Sequence, residues 1–173
     1  MGARKITSKQ YFRIAKLIHG ALVGGVVFFA LMVTYLMSGQ NVHYGYDDTA
    51  NAFYMAVGLL GLGSLFGGDF VFKAQLKKAK IHPALPQKMM QYQTATIIKY
   101  ALIESVALFS TVAALLTLSV WFLYIAGFLV LVLASYYPSI ERTVRELNLN
   151  VEEQKQVGNP DAYISEDQDS NKL

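Results

Sequence analysis

Residues 97–137 read IIKYALIESVALFSTVAALLTLSVWFLYIAGFLVLVLASYY, a run whose only charged residues are Lys99 and Glu104. A helix needs about 20 apolar residues to cross a hydrocarbon core roughly 30 Å thick. This run holds about 40, so it must double back. Thr117 and Ser119 interrupt the leucines, and Trp121 and Tyr124 start an aromatic belt of the kind found at membrane interfaces. The turn is therefore placed at Thr117–Val120, which divides the run into spans at 97–116 and 120–137. Upstream, residues 14–37 (IAKLIHGALVGGVVFFALMVTYLM) and 52–72 (AFYMAVGLLGLGSLFGGDFVF) are each long enough for one more span. All four are expected to be helices, because backbone groups left unpaired in lipid are too costly. The predicted fold is an all-α bundle of four transmembrane helices.

Composition agrees. Hydrophobic residues make up 54% of the chain and charged residues 16%, against roughly 25% charged in a soluble domain. Cysteine is absent from the sequence, which excludes a disulfide framework, a thiolate metal site and a cysteine nucleophile. The net charge of +3 is read as basic cytoplasmic segments and not as a nucleic-acid surface. The first span exceeds the 7–15-residue apolar core of a signal peptide, and no small-x-small cleavage site follows it. It is expected to stay in the membrane.

Charge also sets the orientation. Arg4, Lys5, Lys9, Arg13 and Lys16 precede or open the first span, and Lys73, Lys77, Lys78, Lys80 and Lys88 lie between the second and third. The segment between the first two spans carries Asp47 and Asp48 and no Lys or Arg. Lys and Arg collect on the cytoplasmic side, so both termini are expected inside a bacterial inner membrane. The predicted organisation is a basic N-terminus (1–13), the membrane domain (14–137), a cytoplasmic helical segment (138–157) and a disordered acidic tail (158–173). Ser139 is the expected N-cap of a short helix leaving the membrane. Asn150 with Glu153 three residues on has the spacing of a capping box. GNPDAYISEDQDSNKL, from Gly158, is polar and marked by Gly and Pro.

Glu104 is the leading functional candidate, because an intramembrane carboxylate is by default a functional-site hypothesis. It can take up an ion on one side and release it when its surroundings change. Tyr100 and Thr111 share its helical face and Ser105 lies beside it, so Glu104, Ser105, Thr111 and Tyr100 form the predicted ion-binding set. The alternative is a structural carboxyl, neutral or paired with Lys99. Asp69 and Lys73, four residues apart, are expected to pair and snorkel at the inner boundary; with Lys99 they are secondary candidates. Gly63 and Gly67, like Gly20 and Gly24, have the GxxxG spacing that lets helices approach closely in lipid. The face of Gly61, Ser64 and Gly68 is expected to meet the third span. His19, His43 and His82 lack paired ligand spacing, so neither metal nor cofactor is expected, and no nucleophile elbow or triad order is present. The glycine-rich GLGSLFG lies within a span and is not a nucleotide loop.

Ala101–Leu118, ALIESVALFSTVAALLTL, resembles the carboxylate-bearing helix of the c-subunit proteolipids of rotary ATP synthases. Glu104, Ser105 and Phe109 fall on that family's carboxylate, small and aromatic positions, and the glycine-rich second span resembles its inner helix. The resemblance covers Ala52–Leu118 and implies that Glu104 carries the ion, with Ser105 a feature of sodium-binding members. Two further spans and a charged tail flank that hairpin. The function expected is that of a small multi-pass membrane protein, not an enzyme, binding or translocating protons or sodium through Glu104. It would contact lipid and other copies of itself or a larger membrane complex. The alternative is a non-catalytic scaffold or accessory subunit that recruits a partner through its cytoplasmic tail. Single cysteines placed in this cysteine-free chain test the orientation. A cysteine at Asp47 should react with an impermeant maleimide from outside intact cells and one at Lys78 should not; the opposite pattern would reverse the topology.

Overall fold

The computed structural model describes residues 5–42 and 48–166. In chain order these form β1 (Lys5–Thr7), α1 (Ser8–Met37), α2 (Asp48–Leu62), a π-helical turn (Gly63–Gly67), α3 (Gly68–Ile81), α4 (Leu85–Thr117), α5 (Trp121–Ser135), α6 (Ile140–Leu147), α7 (Val151–Gly158) and β2 (Tyr163–Glu166). The chain is predominantly α-helical. Three helical stretches, Ser8–Met37, Ala50–Ile81 and Leu85–Thr117, are long and apolar enough to cross a membrane, and a fourth is reached by counting α5 and α6 as one broken span. Helix α5 by itself has 15 residues, about 22 Å at 1.5 Å per residue and short of a ~30 Å hydrocarbon core.

The helices outrun the predicted spans of 14–37, 52–72 and 97–116. Helix α1 begins at Ser8 and α4 at Leu85. The lysine-rich segment, expected as a loop, is helical to Ile81, since Lys, Gln and Ala are good helix formers and need no buried face. Pro86 is accommodated in the first turn of α4, where its missing N–H has no helical partner to lose.

The chain divides into two compact units. One comprises His19–Phe70 and Ile98–Tyr137. It holds two apolar clusters, one built from Val26, Tyr100, Ile103, Val106, Ala107, Leu129 and Leu133, the other from Val33, Met37, Ala50, Val57, Ala113, Ala114 and Phe122. Residues of α1, α4 and α5 thus share one cluster, and α2 joins them in the other. Large exposed apolar residues such as Phe28, Tyr35, Leu59 and Leu131 cover its outside, as a lipid-facing surface requires. The reversal between α4 and α5 falls at residues 118–120, with Leu118 in the left-handed region at φ 52°. There the Ser119 hydroxyl lies 2.8 Å from the Tyr54 hydroxyl, and Ser110 donates to the Phe122 carbonyl at 2.7 Å.

The second unit gathers the N-terminal segment to Ile18, Val71–Ile97 and the segment from Pro138. Its core contains Phe12, Phe72, Ala79, Met89, Tyr92, Leu147, Val157 and Ile164. Helix α6 is capped by Ser139, which accepts from the Arg142 N–H at 3.2 Å. Helix α7 carries the complete capping box of Asn150 and Glu153. Tyr92 donates to Glu146 at 2.8 Å, and Arg142 meets the other Glu146 oxygen at 2.8 Å.

The disordered tail predicted from Gly158 is corrected as far as Glu166. Strand β2 pairs antiparallel with β1, Ile6 opposite Ser165 and Thr7 opposite Tyr163. The Ser8 and Lys9 N–H groups donate to the carbonyls of Ala162 and Pro160 at 2.9 and 3.0 Å, and the Ser8 hydroxyl donates to Val157 at 2.5 Å. The polar composition of this segment conceals one apolar anchor, Ile164, which is fully buried. The remainder, 167–173, lies outside the described residues, as does the Asp47 position. Ile164→Ala should therefore cost about 2–5 kcal/mol, the range for truncating a buried aliphatic side chain, read as a lowered thermal midpoint of the detergent-solubilised chain. An unchanged midpoint would return the segment to a loose tail.

Candidate functional site

Within residues 50–70 and 98–137 three side chains are charged, Asp69, Lys99 and Glu104, while Asp48 opens α2 in the same unit. Two of them meet. The Lys99 ammonium lies 2.5 Å from Asp69 Oδ1 and 3.8 Å over the Tyr136 ring, and Lys99 is only 5% exposed. Tyr100 donates to the Tyr136 backbone carbonyl, and its ring meets the edge of His19, itself buried, at 4.9 Å. An ammonium taken out of water needs both a counter-charge and further polarisable partners; Asp69 and the Tyr136 ring face provide them.

The local backbone explains how Asp69 reaches α4. The π turn holds one residue more than an α turn of equal length. Everything after it is rotated by roughly 100° about the helix axis, the angle of one residue. Asp69 follows directly, at the second position of α3. A Cβ on Gly68 would lie 3.7 Å from Leu102 and 4.0 Å from Lys99, so the start of α3 runs alongside α4 at ordinary contact distance.

Glu104 is half-buried and makes no hydrogen bond or ion pair with a described residue. Its predicted hydroxyl partners do not converge on it. Ser105 is exposed and donates to Leu102 O at 2.9 Å, Thr111 donates to Ala107 O at 2.9 Å, and Tyr100 is engaged with Tyr136. Hydroxyls on apolar helices commonly satisfy themselves on the carbonyl three or four residues back, which is what Ser105 and Thr111 do. Lys99, the suggested structural partner of Glu104, is bound to Asp69 instead. Asp69, four residues before Lys73 on α3, also reaches across to Lys99 of α4.

The glycine expectations also change. Added Cβ atoms at Gly20, Gly24, Gly61, Gly63 and Gly67 would meet nothing within 4 Å, whereas Gly68 is buried against α4. Neither GxxxG pair mediates a close helix contact among the described residues. The residue shift of the π turn explains part of this, since positions counted on an unbroken 3.6-residue repeat no longer share a face. The described residues contain no group of three His, Cys, Asp or Glu able to hold a metal, and His43 lies outside them.

Comparison with known proteins finds no matching family model, no matching curated protein and no matching solved structure.

The pairing of Asp69 with Lys99 was missed in the sequence because the strongest local signal, Lys73 four residues after Asp69, pointed elsewhere. A usable clue existed. Asp69 near the end of the second apolar segment and Lys99 near the start of the third carry opposite charges at the ends that residues 73–96 join. A double-mutant cycle tests the pair. Asp69→Asn, which strands a buried ammonium, should destabilise by about 3–5 kcal/mol. Adding Lys99→Met should recover most of that loss, measured by thermal unfolding in detergent. Additive losses would show that the two residues act independently.

Proposed function

We propose that this chain is a four-span protein of a bacterial inner membrane that binds or translocates protons or sodium through Glu104. One observation carries the proposal. Asp69 and Lys99 neutralise each other, which leaves Glu104 as the uncompensated charged side chain within residues 50–70 and 98–137. A carboxyl kept at such a site against its insertion cost is expected to do chemistry there. Its incomplete burial suits an oligomer in which a second copy covers it, as the resemblance of Ala52–Leu118 to a proteolipid hairpin suggests. Both termini are assigned to the cytoplasm. The lysines of α3, Lys88 of α4 and the segments at both ends of the chain belong to one compact unit, which supports a common side, and the lysine excess argues for the inner one.

A hydrophobic carbodiimide tests the proposal. It reacts with a protonated carboxyl, so sodium binding or loss of the proton should protect the residue. Labelling of Glu104 should fall on adding sodium, or on raising the pH if protons are the ion handled, and should vanish in Glu104→Gln. Labelling that ignores both sodium and pH would favour the alternative, a membrane scaffold. In that case the partner would be recruited through the cytoplasmic C-terminal segment, whose residues up to Glu166 are packed into their own unit.

A further inference from the structure

We propose that the cleft between the first turns of α1 and the C-terminal segment binds the headgroup of an anionic phospholipid. Lys9, Arg13 and Lys16 recur at helical spacing on one face of α1 and line a cavity of about 560 Å³, with Phe12, Ile140 and Pro160 as its apolar walls. That volume lies within the range that holds a small ligand, roughly 300–1,000 Å³. The positive charge comes from side chains and not from the helix end, because the Ser8 and Lys9 N–H groups are already taken by Ala162 and Pro160 carbonyls.

Lys9 and Arg13 are exposed and make no ion pair with a described residue. Lys16 lies in the field of Glu141. That carboxyl is held below its usual range first by its own backbone N–H, then by the Ser139 hydroxyl and Lys16, so it stays ionised and offsets part of the Lys16 charge. Lys9 and Arg13 are therefore the principal phosphate partners. Arginine meets two phosphate oxygens at once through its planar fork, and lysine adds a point charge.

The choice of a lipid over a soluble phosphate rests on what adjoins the cations. Leu17, one helical turn beyond Arg13, is 68% exposed, Ile14 is 44% exposed and Ile140 is 36% exposed. From Leu17 onward α1 enters its apolar stretch. A molecule with phosphate in the cleft and acyl chains along Leu17 satisfies both features; a free anion leaves the apolar residues uncovered. Basic pockets on the cytoplasmic side of membrane helices recognise anionic headgroups by the same logic.

The full chain, delipidated in neutral detergent, can be given phosphatidylglycerol or phosphatidylcholine with identical acyl chains, and the bound lipid counted by native mass spectrometry. Phosphatidylglycerol should be preferred, and Lys9→Gln/Arg13→Gln should weaken its binding by about 25-fold, a factor of about five for each cation. Phosphatidylcholine binding and the thermal midpoint should not move. Lys77→Gln/Lys78→Gln, which removes equal charge from exposed positions outside the cleft, should keep the preference; a similar loss there would overturn the site in favour of diffuse attraction. Equal binding of the two lipids by the unmodified chain would also overturn it. Competition on the unmodified chain separates the two phosphate sources. Millimolar glycerol 3-phosphate should leave phosphatidylglycerol bound, and its displacement would reassign the cleft to a soluble anion.

Discussion

A lysine and an aspartate from different helices settle the electrostatics of the membrane unit. Alone, a charge such as Lys99 costs about 2.5–3.5 kcal/mol at the centre of a membrane helix on insertion scales. The cost is met by bringing Asp69 to 2.5 Å and laying the Tyr136 ring beneath the ammonium. That arrangement constrains the backbone around it. It requires the start of α3 to pass beside α4, which Gly68 permits, and it requires Asp69 to point inward, which follows from the extra residue of the π turn. It also fixes the residue that follows α5, since Tyr136 carries the ring and accepts the Tyr100 hydroxyl through its carbonyl. The same pairing removes two of the three charges within residues 50–70 and 98–137 from play and isolates Glu104.

The other unit is held by different means. Its ion pairs, Lys88 with Glu153 and Arg142 with Glu146, join an apolar core to which the N-terminal segment, α3, α4 and the C-terminal segment all contribute. Two polar side chains buried there are matched to backbone carbonyls. Ser8 is 2% exposed and donates to the Val157 carbonyl, and Tyr11 donates to the Met89 carbonyl at 3.1 Å. Satisfaction of this kind is what allows a surface-rich composition to close into a compact body.

The long apolar segments, the reversal after Thr117 and the caps at Ser139 and Asn150 were legible in the sequence because each depends on residues within a few positions of one another. Chain length against membrane thickness is also a strong constraint, and it left little freedom. The features that escaped are contacts across tens or more than a hundred residues. Ile164 is the one anchor in a polar stretch, and its partner strand lies at the other end of the chain. The π turn has no compositional signature distinct from that of any glycine-rich helix. At the candidate site, the intramembrane carboxylate was visible as a residue type. The loss of its hydroxyl neighbours to backbone carbonyls was not, since sequence places side chains on a face without saying which acceptor each will choose.

Pairing of β1 with β2 has a consequence for how the protein is made. Strand β1 leaves the ribosome before β2, and more than 150 residues separate the two, so this contact has a very high sequence separation. Contacts of high sequence separation form late. The membrane helices thus enter the bilayer while the first strand and the opening turn of α1 still lack their hydrogen-bond acceptors. The unit can close only once synthesis has passed Glu166, and the N-terminal segment waits for its partner in the interval.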